Sequence, residues 1–104
     1  MSRLPEIYER FSEEYPVVSN AYSKLGTTIH ESGSLDERSR CLVKLGIAIG
    51  AESEGAVRSH VRKAFDAGLT RADVEHAILL SLTTVGFPRM IAALQWSRGV
   101  PEPE

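Results

Sequence analysis

The residue with the most versatile chemistry in this chain is His60, which lies in a segment with helical periodicity. Ser53, Ala56, Val57 and Ala64 recur around it at steps of three and four, so the five side chains share one helix face. That face is small and mostly apolar, which leaves space around an inward-facing imidazole. An imidazole gives or takes a proton near neutral pH, so His60 is a candidate general acid or base. The structural alternative is a hydrogen-bonded histidine at a helix contact.

A basic group surrounds His60 in sequence, formed by Arg58, Arg62 and Lys63. Arg58 and Arg62 are four positions apart, and like charges at this spacing disfavour a helix unless an anion or a carboxylate relieves them. The functional interpretation is an anchor for a substrate carboxylate, which an arginine fork fits well. The structural alternative is solvation, with Glu54 well placed to pair with Arg58.

Cys41 is the single cysteine of the chain, so no intramolecular disulfide and no oxidising compartment are implied. A lone cysteine on an apolar helix is usually a small buried hydrophobe. To act as a nucleophile it would need a lowered pKa and access to solvent. The structural interpretation of Cys41 is therefore favoured.

Phe87 is expected to be a packing residue near a subunit interface, with ligand contact as the lesser option.

Composition excludes several other classes of function. The 104 residues hold 12 basic and 14 acidic side chains, a formal charge of −2, which gives no reason to expect a nucleic-acid or membrane partner. The three histidines are far apart and form no metal-ligand motif, and no phosphate loop or dinucleotide fingerprint is present. No metal or cofactor is expected. The first residues lack the apolar stretch of a signal peptide, so a cytoplasmic location is expected.

Glycine and proline divide the chain into helical segments, which predicts an all-α fold in a single domain over residues 1–104. About six helices are expected, over Glu6–Glu14, 17–30, 35–49, from Glu52 or Ser53 to Gly68, from Thr70 towards Gly86, and 88–98. Ser34 with Glu37 has the form of a capping box for the third helix, and Thr70 with Asp73 for the fifth. Gly46 within the apolar third helix indicates close approach of another helix or a ligand. The tail after residue 100 is expected to be disordered.

Several segments in the middle and end of the chain occur in the order and spacing of a known family. LDERSR at 35–40 resembles a helix start "LDxKxR", and HVRKAFDAGLT at 60–70 resembles "HxRxAxxxGxT". DVEHAIL at 73–79, followed by GFP at 86–88 and AAL at 92–94, resembles "eEIxExLL…GxPxxxxAL". Together they resemble the carboxymuconolactone decarboxylase family, which includes alkylhydroperoxidase D-like proteins. The match runs from about Leu35 to Trp96.

The resemblance implies an all-helical protomer that assembles into trimers or hexamers, with a pocket near the subunit contacts and His60 at the position of the pocket histidine. The peroxidase branch of this family uses a Cys-x-x-Cys pair and a glutamate. Those positions correspond here to Ser53, Ala56 and Cys41, so all three groups are missing. Without two thiols the dithiol–disulfide cycle cannot run, and ordinary peroxidase activity is not expected.

The decarboxylase branch also lacks the cysteine pair. The resemblance then implies a cofactor-free lyase acting on a small carboxylated lactone or a related acid, with His60 as proton donor and Arg62 or Arg58 as anchor. Its possible pocket comprises Cys41, Leu45, Ser53, Ala56 and Phe87, with Ile49 and Leu82 as further apolar lining. Two alternatives stay open. One is a non-catalytic oligomeric binding or scaffold module, and the other is a redox protein that uses Cys41 singly.

Overall fold

The computed structural model describes residues 5–104, and these residues form helices and connecting turns with no strand. This confirms the predicted all-helical class. Residues 1–4 lie outside the described residues. They begin the N-terminal segment in which no signal peptide is expected. The helices are α1 Glu6–Glu14, α2 Pro16–His30, α3 Glu37–Gly50, α4 Glu54–Asp66, α5 Arg71–Leu80, α6 Leu82–Val85 and α7 Phe87–Arg98. None of them has both the length and the apolar character needed to cross a membrane.

The chain divides into two compact units, the first ending at Ser34 and the second beginning at Leu35. In the first unit α1 and α2 form a helical pair. The rings of Phe11 and Tyr15 lie 5.6 Å apart, and the hydroxyl of Ser19 donates to that of Ser12 at 3.1 Å. Between residues 5 and 34, Ser19 is the one buried residue. The apolar side chains of this unit are therefore exposed to solvent.

The second unit contains the hydrophobic core. Its buried apolar residues are Leu45, Ala48, Ile49, Val57, Val61, Ala64, Phe65, Leu69, Val74, Ile78, Met90, Ala93 and Val100. They come from α3, α4, α5, α7 and the turns beside them, because each of these helices carries an apolar stripe at steps of three and four. Leu45 and Ile49 are completely or almost completely buried, which confirms that α3 is central.

Side-chain caps fix the starts of three helices, α3, α4 and α5. The predicted capping box at α5 is confirmed, since Asp73 N donates to Thr70 Oγ1 at 3.2 Å and Thr70 N donates to Asp73 Oδ2 at 2.8 Å. The predicted Ser34 cap of α3 is wrong. Asp36 caps this helix instead, accepting from Ser39 N at 2.8 Å. Aspartate caps as well as serine does, and the helix begins two residues later than expected.

The predicted fifth helix is interrupted at Ser81, whose hydroxyl donates to the carbonyl of Ile78 at 2.6 Å. A local side-chain bond of this kind competes with the continuing helix, and the four-residue α6 follows. Gly86 then adopts φ +98°, a left-handed conformation that suits glycine. Pro88 occupies the first turn of α7, where its missing N–H has no intrahelical partner.

Arg38 of α3 contacts the C-terminal end of α4. Its side chain donates to the carbonyl of Ala67 at 3.2 Å and to that of Gly68 at 3.4 Å, at the C-terminal end of α4. Gly68 has φ +91°, and a Cβ there would lie 2.9 Å from the Arg38 guanidinium. A cation therefore satisfies helix-end carbonyls that would otherwise have no partner.

In the tail predicted to be disordered, residues 101–104, Glu102 contacts Arg71, which also contacts the end of α7. The guanidinium of Arg71 donates to the carbonyl of Ser97 at 2.9 Å, to its hydroxyl at 3.2 Å and to the carbonyl of Val100. The backbone N–H of Arg71 donates to the carboxylate of Glu102 at 2.8 Å. Val100 is buried. The tail is thus anchored beside the start of α5.

Candidate functional site

The start of α4 occupies the two positions where the redox branch would carry thiols. Ser53 caps the helix, its hydroxyl accepting from the backbone N–H of Ala56 at 3.3 Å. Ser53 is exposed and Ala56 is half-buried. The serine hydroxyl therefore stabilises the helix end, and neither position offers a redox group.

His60 lies on the flank of α4 that begins with Ser53 and Ala56, as the sequence predicted, and it is half-buried. Lys63 follows His60 by three positions, so its side chain neighbours the imidazole on the same flank. The ammonium of Lys63 is close enough to Cys41 on α3 to affect its pKa. Helical spacing thus places Lys63, one member of the basic group, one turn from His60. Its three-residue spacing from His60 was the available signal.

Arg58 and Arg62 lie on the other flank of α4. Arg62 follows His60 by two positions, about 200° around a helix, and the buried residues Val57 and Val61 separate the two flanks. Residues two apart on a helix do not face each other. One small substrate in contact with His60 of a protomer is therefore poorly placed to reach Arg58 or Arg62 of the same protomer.

Arg58 is held by contacts within its own unit. Its Nε donates to Glu54 Oε2 at 2.9 Å, the pairing that the sequence suggested as the structural alternative. Its guanidinium also lies against Gly99, where an added Cβ would be 2.7 Å from Nη1. Arg62, which is half-buried, makes no ion pair or side-chain hydrogen bond within residues 5–104. Arg62 is thus the more available of the two arginines.

Cys41 lies half-buried on α3. Burial raises the pKa of its thiol, and the carboxylate of Glu37 raises it further, against the opposing effect of Arg40, Lys63 and Lys44. A thiol with a raised pKa is mostly protonated at neutral pH and is a poor nucleophile. The electrostatics around Cys41 therefore favour its structural interpretation.

The residues predicted to line a pocket differ widely in exposure. Leu45 and Ile49 belong to the closed core, whereas Phe87 is 58% exposed and Leu82 is also exposed. Core packing at Leu45 and Ile49 leaves no room for a ligand between them. Among the predicted pocket residues, Ser53, Ala56 and His60 share a flank, and Cys41 on α3 lies near Lys63 of that flank.

A groove of about 610 Å³ lies between α3 and the α5–α6 segment. Its lining is mainly apolar, with Asp73 and His76 as its ionisable members. A second, smaller cavity of about 250 Å³ is lined by His76, Met90 and Arg98, among others, and Arg98 pairs there with Glu75 at 3.0 Å. Neither cavity is lined by His60, Arg58, Arg62 or Cys41. The groove had no sequence signal except Gly46, which lines it.

Within residues 5–104, histidine, cysteine and carboxylate side chains form no group of three or more that is able to hold a metal ion.

Comparisons with known proteins identify the fold and the family. The chain is similar to a solved structure of apo-lpg0406, a carboxymuconolactone decarboxylase family protein from Legionella pneumophila, with 19% identity and a TM-score of 0.74. That similarity covers 86% of this chain and 80% of the other, and it shows the shared fold. No curated protein matches the sequence. The sequence profile of the carboxymuconolactone decarboxylase family matches residues 16–98, which extends the predicted match of 35–96 to include α2. The chain belongs to the carboxymuconolactone decarboxylase family.

Proposed function

We propose that this protein is a cofactor-free carboxy-lyase that acts on a small carboxylated lactone or a related acid. The observation that carries the proposal is the composition of one flank of α4. In a chain of this family, a capping serine and an alanine stand at the thiol positions, and a half-buried histidine, His60, lies on the same flank. This favours proton transfer over thiol redox chemistry.

The proposed reaction breaks the bond between the substrate and its carboxylate carbon. Carbon dioxide leaves, and the electron pair of that bond spreads into a conjugated enolate. His60 in its protonated form then donates a proton to the enolate carbon, which gives the product lactone and a neutral imidazole. The imidazole regains its proton from water. Half-burial of His60 limits competing proton transfer with solvent and strengthens its electrostatic interaction with the enolate.

A carboxylate substrate requires a cationic anchor near His60. The sequence suggested Arg62 or Arg58 in this role, and both remain proposals. Lys63 is a third candidate, supported by its position one helical turn from His60 and by its electrostatic effect on Cys41. Arg62 serves in this role if it reaches the His60 flank of a neighbouring protomer, since the two flanks of a single α4 face different directions.

We further propose that the protein is a homo-oligomer, a trimer or a hexamer, located in the cytoplasm. The exposed apolar side chains of α1 and α2 support assembly, because a small helical pair that buries only Ser19 gains almost no stability from its own hydrophobic burial.

The second candidate function is a non-catalytic oligomeric module. It is favoured by one observation, that neither described cavity is lined by His60. A single-cysteine redox function is disfavoured by the raised pKa of Cys41.

The test is turnover of carboxymuconolactone, followed by loss of the lactone and release of carbon dioxide. We expect turnover by the wild-type protein and a loss of at least about 100-fold in kcat for His60→Asn, which is the scale of general acid catalysis. Ser59→Ala is the matched control on the same helix and should retain activity. Absence of turnover with several lactone acids, from a protein shown to be folded and oligomeric, would support the non-catalytic module instead.

A further inference from the structure

Helix α3 is apolar around nearly its whole circumference. Between residues 41 and 50 its one ionisable side chain is that of Lys44. The buried residues of this stretch share the face towards the core: Leu45, Ala48 and Ile49. Val43, Gly46 and Ile47 lie about half a turn away, on the opposite face, and all three are exposed. Because a helix that is apolar on every side is normally buried on every side, the second face of α3 indicates a partner.

This second face forms one wall of the groove between α3 and the α5–α6 segment, within the unit that begins at Leu35. Val43 and Ile47 are 50% and 66% exposed, and Leu80 on the α5 wall is 62% exposed. A Cβ added to Gly46 would meet no atom within 4 Å, so the position beside Ile47 is an open hollow. Contiguous exposed apolar surface of this kind marks an interaction site.

The surface carries a projection and a hollow side by side. Ile47 projects into solvent, and Gly46 next to it presents only backbone. Two copies related by a twofold axis present the same patch to each other, so Ile47 of each copy can lie over Gly46 of the other. Packing of side chains into the grooves of a facing helix is the usual geometry of helix contacts. The shape of the surface therefore fits a second copy of itself.

The charges at the groove are balanced, since its ionisable lining residues are Asp73 and His76. Hydrogen bonds with Thr70 lower the pKa of Asp73, and Arg38 and His76 are close enough to lower it further, so this carboxylate is ionised at neutral pH. A patch with one carboxylate beside one imidazole does not repel its own copy. In a twofold contact the Asp73 carboxylate of one copy can accept a hydrogen bond from His76 of the other. Such a patch offers no strong field to a nucleic acid or a highly charged peptide, so its charge also favours a second copy.

We propose that two copies of this chain pack against each other about a twofold axis through the groove between α3 and α5, with Ile47 of each copy over Gly46 of the other. The contact rests on the homo-oligomer in the proposed function and not on the lyase activity. It also decides between the two assemblies proposed there, because a hexamer of two trimers contains twofold axes and a single trimer contains none.

The first test measures molar mass by light scattering at one protein concentration. We expect six chains in the wild type and three in Gly46→Gln, because glutamine fills the hollow and blocks only the twofold contact. Glutamine is a better helix former than glycine and its Cβ meets no atom of its own chain, so the variant should stay helical and thermally stable. Gly55→Gln is the matched control and should keep six chains, since Gly55 is also helical with open space but does not line the groove.

Two neighbouring leucines test the α5 wall in the same way. Leu80→Glu places a charge in the groove and should also halve the molar mass. Leu79→Glu is the control, because Leu79 is 57% exposed but does not line the groove. Equal halving by both substitutions, or an unchanged mass in both Gly46→Gln and Leu80→Glu, would overturn the assignment of the contact to the groove.

The second test gives each chain a single cysteine, so that any cross-link joins two chains. Ile47→Cys in a Cys41→Ser background should form a product of twice the chain mass with a short bis-maleimide. Gln95→Cys in the same background, at an exposed position on α7, should form none. An odd number of chains in the wild-type assembly, or an assembled Ile47→Cys variant without a cross-link, would overturn the contact while leaving the homo-oligomer intact. A monomeric wild type would overturn both.

Discussion

The Nε of Arg58 donates to Glu54 Oε2 at 2.9 Å, one helical turn earlier on α4, while its guanidinium lies against Gly99. An arginine engaged in this way would have to leave its carboxylate partner before it could bind a substrate. The contact therefore joins the start of α4 to the end of α7 and makes Arg58 a structural residue first.

Replacement of Arg58 should consequently affect stability slightly and catalysis little. The pair is partly exposed, with side-chain exposures of 37% and 52%, so its loss in Arg58→Gln should cost at most about 1 kcal/mol. Urea unfolding measures this change, and kinetics with the lactone substrate should show an almost unchanged KM. A tenfold rise in KM without a change in stability would instead return Arg58 to the substrate site.

Arg71 should be far more important for stability. Its guanidinium satisfies the carbonyls of Ser97 and Val100 and lies 4.9 Å from the centroid of the Phe65 ring. Loss of a charged donor to partly buried acceptors costs about 1.5–3 kcal/mol. Arg71→Met should therefore lower the free energy of unfolding by about 2 kcal/mol or more and release the C-terminal tail to proteolysis.

Arg10→Met is the control for Arg71→Met, because the Arg10–Glu6 pair is exposed and makes only a local i, i+4 contact. Its effect on unfolding should stay below about 0.5 kcal/mol. Equal effects of the two substitutions would show that the Arg71 network does not hold the tail in solution.

The stability of the protein should fall in acid because of its helix caps. Hydrogen bonds from Thr70 lower the pKa of Asp73, and those from Ser39 lower the pKa of Asp36. A carboxyl group with a depressed folded-state pKa contributes stability above its unfolded pKa, about 3.9. That contribution is lost as the pH falls through the lower folded-state value. Thermal melts measured from pH 6 to pH 2 in steps of about one pH unit should show this loss of stability mainly below about pH 4.

In Asp73→Asn the capping side chain no longer titrates, so the melting temperature should decline less steeply with acid than in the wild type. Glu104→Gln, at the last residue of the chain, is the control and should keep the wild-type slope. An identical slope in Asp73→Asn and the wild type would remove Asp73 from the acid response.

The sequence predicted those features that depend on neighbouring residues. The capping box of Thr70 and Asp73 lies within four residues, and hydrogen bonds within one turn decide it. Ser34 failed as a cap because Asp36, two positions later, caps equally well, and local chemistry does not choose between them. The anchored tail was not predictable in this way, since Arg71 and Glu102 are 31 positions apart and meet only in the fold.

The candidate site shows the same division between local and long-range information. The face shared by Ser53, Ala56 and His60 follows from helical periodicity, and the same periodicity separates Arg62 from His60. Which side of α3 is core and which is groove depends on the packing of α4 and α5, so Leu45 was expected in a pocket although it lies in the core. The exposure of the groove around Gly46 likewise required the tertiary structure.

Cys41 should react slowly with thiol reagents. Its thiol is half-buried and its pKa is raised, so the thiolate fraction in the folded protein is smaller than in the unfolded chain. Alkylation by iodoacetamide at about pH 8 should be several-fold slower in the native protein than in the urea-unfolded protein. The same order should hold for sulfenic acid formation with peroxide. A native thiol that reacts faster than the unfolded one would revive the single-cysteine redox function.

The choice between Lys63 and Arg62 as substrate anchor can be made by kinetics. Lys63 follows His60 by one turn and affects the pKa of Cys41, whereas Arg62 lies on the far flank of α4. If Lys63 holds the carboxylate, Lys63→Ala should raise KM about tenfold, since one charge-assisted hydrogen bond is worth about 1.5 kcal/mol. Lys63→Arg should restore most of the affinity because the positive charge is kept.

Arg62→Ala should raise KM only if Arg62 reaches the His60 flank of a neighbouring protomer. In that case the rise should disappear when the oligomer is dissociated by dilution, whereas the effect of Lys63→Ala should persist there in any residual activity. A KM effect of Arg62→Ala that survives dissociation, with none for Lys63→Ala, would show that Arg62 reaches around its own helix and that the flank argument is wrong.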